Sequence, residues 1–123
     1  MLARVVSYML PTSMPQTREY EDERGQCPFS RWFGGLEAVA AAKVRRSVAK
    51  LEAGLLPNVK RVGGGVHEAR VEYGPGYRVY FAFDGEELVL LLGGGEKHGQ
   101  SGDIAAAQAR WVDYKKRKRV QSR

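Results

Sequence analysis

The fold is decided by residues 58–100, which read NVKRVGGGVHEARVEYGPGYRVYFAFDGEELVLLLGGGEKHGQ. This stretch contains three strand-like runs that alternate or are rich in β-branched and aromatic residues: Val66–Tyr73, Tyr77–Phe83 and Glu87–Leu92. Gly74-Pro75-Gly76 and Asp84-Gly85 separate the runs, and glycine-marked turns between such runs are strong hairpin signals. The stretch therefore predicts successive antiparallel strands.

The hairpin around Gly74-Pro75-Gly76 predicts two different sheet faces. A three-residue loop would place Tyr73 opposite Tyr77 and Arg70 opposite Tyr80. Because side chains alternate across a strand, one face is apolar: Ala69, Val71, Tyr73, Tyr77, Val79, Phe81 and Phe83. The other face is polar: Glu68, Arg70, Glu72, Arg78 and Tyr80. The first face predicts a core, and the second predicts an open surface on which a function would lie.

Helical patterns flank the strands. A short helix is expected from Ser30 to Gly34-Gly35, and a longer one from about Glu37 to Ala53, with Gly54 as its C-cap. Four apolar residues share one face of the longer helix: Val44, Val48, Leu51 and Leu55. A final helix from Ile104 to about Lys116, capped by Asp103, has one apolar side: Ile104, Ala107, Trp111 and Tyr114.

The remaining segments are an N-terminal strand, a loop and a glycine run. Val5–Leu10 predicts a strand, residues 11–28 predict an extended or mobile loop, and Gly93-Gly94-Gly95 predicts a flexible break. The resulting order is one strand, two helices, three or four strands and a helix. It predicts a single α+β domain over residues 1–123, in which the helices pack on one face of a small antiparallel sheet.

Charge and cysteine content exclude some classes of function. The net charge of +6 equals the excess from Arg110 onward, where seven basic residues stand against Asp113, so residues 1–109 are balanced. The basic tail, residues 115–123, is expected to be a solvated end, although a polyanion is an alternative partner. No apolar run approaches the ~20 residues of a membrane span. With Cys27 as the lone cysteine and no signal peptide recognised, a cytoplasmic location is expected.

The usual metal and nucleophile motifs are missing from the sequence. Cys27 with two separated histidines, His67 and His98, does not make a zinc site of usual composition. No phosphate-binding loop and no serine elbow is present, so no metal and no cofactor is predicted. His67 has the parity of the apolar face and is expected to be structural. Glu68 and Glu72 lie among arginines and are expected to pair with them.

A group of cations remains as the candidate site: Lys60, Arg70, Arg78, Lys97 and His98. Arginine binds phosphate oxygens bidentately and lysine is a compact positive charge. Fixed cations would also stabilise the charge that develops on a phosphodiester during cleavage. The residues alone leave an alternative open, because Glu72 opposite Arg78 also describes an ordinary cross-strand ion pair.

Several motifs resemble one known family. PFSRWFGGL at 28–36, KLEAG at 50–54, GPGYRVYF at 74–81 and LLLGGGEKHGQSGDIAAA at 90–107 are similar to the HigB-like branch of the RelE superfamily. These proteins are phage-derived addiction-module killer toxins. The resemblance covers about Pro28 to Trp111. It implies a RelE-like fold in which two helices pack on an antiparallel sheet.

The resemblance also implies a function and its partners. Such a protein is the toxin of a type II toxin–antitoxin module, a metal-independent endonuclease that cleaves mRNA on the ribosome by 2′-hydroxyl attack. Its partners would be an antitoxin encoded nearby and ribosome-bound mRNA. The family's basic residues fall on Lys60, Arg70, Arg78 and Lys97. Arg70 and Arg78 would bind the scissile phosphate, and the two lysines are candidates for base, acid or further phosphate contact.

The sequence departs from the family in its aromatic residues. Classical RelE toxins have a catalytic tyrosine near the C-terminal end, whereas Tyr114, expected to pack in a helix, is the tyrosine available after Lys97. His98 is a candidate substitute, and Tyr80 is a candidate for stacking on a base. The missing tyrosine also supports an alternative, a catalytically inactive prophage protein that binds RNA or an antitoxin.

Overall fold

A computed structural model describes residues 15–56 and 58–121. Its elements, in chain order, are β1 (Gln16–Glu19), α1 (Pro28–Gly34), α2 (Ala38–Glu52), β2 (Val59–Gly63), β3 (Val66–Val71), β4 (Tyr77–Asp84), β5 (Leu88–Glu96) and α3 (Gln100–Gln121). The five strands form one sheet in the order β1-β5-β4-β3-β2, in which β1 is parallel to β5 and the other neighbours are antiparallel. The α+β class predicted from the sequence is confirmed, and the arrangement is consistent with a RelE-like fold.

The N-terminal predictions had mixed outcomes. The strand predicted at Val5–Leu10 lies outside the described residues. The loop predicted over residues 11–28 is wrong at Gln16–Glu19, which forms β1 and pairs with Leu88 to Leu91 of β5. The polar sequence QTRE hid this strand because an edge strand has one neighbour and needs little apolar alternation. The sheet is therefore mixed rather than purely antiparallel.

Both N-terminal helices form close to where the sequence places them. Pro28 begins α1, a position at which its missing N–H costs nothing. The Glu37 carboxylate caps α2 by accepting hydrogen bonds from the amides of Val39 (3.1 Å) and Ala40 (2.9 Å). After α2, Gly54 adopts φ 77°, which ends the helix. Leu55, predicted on the apolar helical face, lies beyond this end and is 56% exposed.

The β3–β4 hairpin differs in register from the prediction. Val71 pairs with Tyr77 and Arg70 with Arg78, a shift of two residues. The cause is a longer turn, because the Gly76 amide donates to the Tyr73 carbonyl (2.9 Å) and Tyr73 is no longer in the strand. An even shift leaves every side chain on its predicted face. The predicted pairing of Glu72 with Arg78 is wrong, since Glu72 lies in the turn.

The apolar face, defined by His67, Ala69, Val71, Tyr77, Val79 and Phe81, carries the main core. Side chains of α1 and α2 pack against it, including Phe29, Val44 and Leu51. His67 stacks on Phe81 at 5.4 Å between ring centroids and meets Phe83 edge-on at 5.0 Å. Burial lowers the pKa of His67, which favours the neutral ring in this packing. The structural role predicted for His67 is confirmed.

The polar face, defined by Lys60, Glu68, Arg70, Arg78 and Tyr80, is not fully open as predicted. Helix α3 lies across part of it, and a second core forms from Tyr20, Val66, Tyr80, Ala82, Leu90, Leu92, Ala107 and Trp111. The predicted apolar side of the last helix is confirmed, but its packing partner is the face that was expected to be solvated. The helix begins at Gln100, so Asp103 lies in its first turn rather than at its N-cap.

The glycine run 93–95 is part of β5 rather than a flexible break. A Cβ atom at Gly94 would collide with the Trp32 ring of α1, and one at Gly95 would collide with the Asp103 carboxylate of α3. At Gly93 a Cβ would lie 2.6 Å from the Arg110 guanidinium. These residues are glycine because helices approach the strand closely from both sides.

Candidate functional site

The predicted cations of the polar face lie in two adjacent rows across three strands. Lys60 of β2 is opposite Glu68 of β3, which is opposite Tyr80 of β4. In the next row Arg70 is directly opposite Arg78. Paired residues point to the same side of a sheet, so Lys60, Arg70 and Arg78 share one surface.

Lys97 joins this group from the end of β5. Its amide donates a hydrogen bond to the Gly76 carbonyl at 2.9 Å. A Cβ atom placed on Gly76 would lie 3.6 Å from both Arg78 Nη1 and Lys97 Cβ. The Arg78 guanidinium and Lys97 therefore flank the same glycine, and the four predicted cations lie at one end of the sheet.

Arg78 forms an ion pair with a buried carboxylate. Glu68 is fully buried, and its Oε1 lies 3.4 Å from Arg78 Nε. The Gln100 side chain donates to the other Glu68 oxygen at 2.6 Å. The predicted pairing of Glu68 with an arginine is confirmed. Arg78 Nη1 lies next to Gly76, on the side of Lys97.

The other candidate residues are exposed. Lys60, Arg70, Lys97 and His98 all lie at the surface. Within residues 15–56 and 58–121, none of them has a carboxylate oxygen within ion-pair distance. An unpaired exposed cation keeps its charge available for an anionic ligand, so this end of the polar face is suited to phosphate oxygens.

Tyr80 does not have the role predicted for it. It is 1% exposed and lies in the core beneath α3, so it is not accessible for stacking on a base. Burial, together with the nearby Glu68 and Asp103 carboxylates, raises the pKa of its hydroxyl. The prediction was wrong because the polar face was expected to be exposed, whereas α3 covers it at Tyr80.

Two residues at the start of α3 were missed as parts of the site. Gln100 orients Glu68, and Asp103 packs against Gly95, which is opposite Arg78 in the next strand. Burial raises the pKa of Asp103, while Arg110 acts in the opposite direction. The signal was available, because both residues belong to the 90–107 motif that carries the family resemblance.

The C-terminal aromatic and basic residues have structural partners. Tyr114 stacks on Trp111 at 5.7 Å and donates its hydroxyl to Asp84 at 2.6 Å. Burial and this bond raise the pKa of Tyr114 to about 12. Lys118 forms an ion pair with the same Asp84 at 2.7 Å. Tyr114 is thus the packing residue that was predicted, and α3 continues through the basic tail to Gln121.

Two classes of feature are missing from the described parts of the chain. Across residues 15–56 and 58–121, no three His, Cys, Asp or Glu side chains are grouped closely enough to hold a metal ion. In the same ranges, none of the helices combines the length and apolarity needed to cross a bilayer.

The fold and the grouped cations define a RelE-like α+β protein with a basic surface at one end of its sheet. The chain belongs to the family of phage-derived Gp49-like proteins, whose family model matches residues 31–111. This family is related to the RelE toxin superfamily. The chain is 37% identical over 81 residues to an uncharacterized protein of Haemophilus influenzae, an alignment that covers 65% of this chain and 82% of that protein. The range matched by the family model, residues 31–111, includes all four predicted cations.

Proposed function

We propose that this protein is the toxin of a type II toxin–antitoxin module and cleaves mRNA on the ribosome. The observation that carries the proposal is the group formed by Lys60, Arg70, Arg78 and Lys97 at one end of the sheet. Three of these cations are exposed and unpaired among the described residues, and the fourth is fixed by Glu68. Membership of a family related to RelE toxins supports the same assignment.

The geometry suits cleavage of a phosphodiester by an internal nucleophile. The RNA 2′-oxygen attacks phosphorus and gives its proton to a base, while the bond to the 5′-oxygen breaks and that oxygen receives a proton. The products are a 2′,3′-cyclic phosphate and a 5′-hydroxyl. Arg70 and the Nη nitrogens of Arg78 would stabilise the charge on the non-bridging oxygens. Lys60 and Lys97 are the candidates for proton transfer or further phosphate contact.

The test is cleavage of a defined mRNA by the purified protein, with and without translating ribosomes. We expect cuts when ribosomes are present, and 2′,3′-cyclic phosphate at the new ends. Lys60→Ala and Lys97→Ala should each slow cleavage by roughly 10²-fold, the usual cost of one transition-state contact. Lys116→Ala, an exposed lysine of α3, should cleave at the wild-type rate. Folded protein that cuts under neither condition would contradict the proposal.

The proposed partner is an antitoxin encoded beside the toxin. Growth arrest on expression of the protein should be relieved when the neighbouring gene is expressed with it. Relief should coincide with a complex that purifies intact. Growth arrest that persists in the presence of such a complex would show that this neighbour is not the antitoxin.

A second candidate is a catalytically inactive protein that binds RNA or the antitoxin. One observation favours it, since the Tyr114 hydroxyl is bonded to Asp84 and is therefore committed to packing. This candidate predicts a protein that binds RNA or the antitoxin while leaving mRNA intact on ribosomes. The cleavage assay above separates the two functions directly.

A further inference from the structure

A second basic surface lies at the edge of the sheet, where α2 passes the ends of β2 and β3. It is a concavity of about 180 Å³, here named the basic groove. The side chains that characterise it are Lys43, Arg46, Lys50, Asn58, Arg70 and Glu72. Of the eight residues that line the groove, four are cations and one is an acid, so the groove is a local concentration of positive charge.

The helical repeat of α2 brings three of these cations together. Lys43, Arg46 and Lys50 follow one another at spacings of three and four, which places them on one side of the helix. This side borders the buried stripe that contains Val44 and Leu51. Packing of that stripe on the sheet therefore fixes the direction in which the cations point.

The groove cations lack acidic partners among the described residues. None of the ion pairs of residues 15–56 and 58–121 involves them, whereas Arg117 and Lys118 of α3 are paired with Asp113 and Asp84. Lys43 lies 5.3 Å from the centre of the Tyr73 ring, which does not neutralise it. Like charges three or four residues apart destabilise a helix. A row of unpaired cations does not stabilise α2, so binding of an anionic ligand is the better explanation for it.

Arg70 connects the groove to the candidate active site. It lines the groove and is also opposite Arg78 on the polar face. Its amide donates to the Asn58 carbonyl at 3.1 Å, and Asn58 adopts a left-handed φ of 56°. This hydrogen bond fixes the backbone at the junction of the two surfaces. A polyanionic chain that contacts Arg70 would therefore be able to contact both surfaces.

We propose that the basic groove binds the sugar–phosphate backbone of the RNA segment next to the segment on the polar face. This inference rests on the proposed function, because it takes the same substrate and extends its path. Recognition would be independent of base sequence, since lysine and arginine here meet phosphates. Affinity should therefore decline steeply with salt.

The experiment measures binding of 2′-O-methyl RNA, which lacks the attacking hydroxyl and so reports binding without cleavage. The variant Arg46→Glu/Lys50→Glu is compared with Arg24→Glu/Lys116→Glu, which makes the same change in net charge at exposed positions outside the groove. Denaturant unfolding establishes that both variants are folded. Binding is followed by fluorescence anisotropy at several salt concentrations, with one RNA of three nucleotides and one of about twelve.

For the longer RNA we expect the groove variant to bind at least 10-fold more weakly, and the control variant to stay within about 3-fold of wild type. The slope of log affinity against log salt should fall by about 1.4 in the groove variant, or about 0.7 for each lost phosphate contact on a single strand. The trinucleotide, which is too short to span both surfaces, should lose affinity equally in the two variants.

Equal weakening of the longer RNA in both variants would overturn the proposal, because net charge alone would then explain binding. Unchanged binding in the groove variant would also overturn it and would leave an acidic protein as the ligand to test. Failure of the groove proposal and failure of the proposed function give different results. A groove-dependent loss of RNA binding in a protein that cleaves nothing would retain the groove and reject the endonuclease.

Discussion

The two faces of the sheet differ in how completely they are covered. On the apolar face, Val79 and Phe81 are fully buried beneath α1 and α2. On the polar face, Glu68 and Tyr80 are equally buried beneath α3. Lys60 of β2, opposite Glu68, and Arg70, two residues along β3, are exposed. The apolar side of β3 and β4 is thus used for stability, while the polar side changes from core to an exposed candidate site within a few residues.

Arg78 lies at the boundary between the covered and the exposed part of the polar face. Its side chain is 9% exposed, its Nε pairs with buried Glu68, and its Nη1 lies on the side of Lys97. Gln100, the first residue of α3, contacts the same Glu68. The start of α3 therefore determines where the covered part ends, and Arg78 contributes both to folding and to the candidate site.

The largest expected effect comes from removing Arg78. Arg78→Ala leaves the buried Glu68 carboxylate without its cation, so we expect the free energy of unfolding to fall by about 3–5 kcal/mol. Glu68→Leu combined with Arg78→Leu should recover most of this loss, because no uncompensated charge then remains. Urea denaturation measures both variants. A loss below about 1 kcal/mol in Arg78→Ala would show that the pair is not buried as described.

Gly94→Ala tests the close approach of α1 to the apolar side of β5. A methyl group there would collide with the Trp32 ring, and overpacking of this kind costs about 1–3 kcal/mol. Gly34→Ala is the matched control, since a Cβ atom there meets nothing within 4 Å. The two variants are compared by urea denaturation. Equal stability of the two would contradict the tight packing of the glycine run.

Asp103→Asn gives a smaller effect with a defined sign. Burial raises the pKa of Asp103 above its unfolded value, so its contribution to stability is present at low pH and is lost as pH rises through the folded pKa. Asparagine resembles the neutral acid. We therefore expect the variant to be slightly more stable than wild type at pH 7, and equal to it below the unfolded pKa of about 3.9. Lower stability of the variant at pH 7 would show that the charged Asp103 carboxylate stabilises the fold.

The smallest expected effect on stability is that of Lys60→Ala. Lys60 is exposed and unpaired among the described residues, so its removal should change the free energy of unfolding by no more than about 0.5 kcal/mol. Set beside Arg78→Ala, it separates the uncovered part of the polar face from the covered part. A loss above 1 kcal/mol would mean that Lys60 contributes to the core.

Local sequence patterns predicted most of the fold. Alternation placed Arg70 and Arg78 on one face, and it did so despite a register error, because the shift was by two residues. The helices followed from the spacing of residues such as Val44 and Leu51 and from terminators such as Gly54. These features depend on residues that are close in sequence, which is why sequence patterns predict them.

What the sequence did not reveal depends on contacts between distant elements. The strand Gln16–Glu19 exists because β5 has a free edge, and no pattern within QTRE indicates that edge. The glycine run looked flexible because the closeness of Trp32 and Asp103 is a tertiary fact. Tyr80 was misassigned for the same reason, since only the path of α3 shows that it is covered.

The variant Arg70→Ala separates catalysis from folding when cleavage and unfolding are measured on the same sample. Arg70 is exposed on the polar face and lies opposite Arg78. If the uncovered end of this face is the active site, ribosome-dependent cleavage should fall by roughly 10²-fold or more, with the free energy of unfolding within about 0.5 kcal/mol of wild type. Wild-type cleavage by the folded variant would show that the uncovered end of the polar face is not the active site.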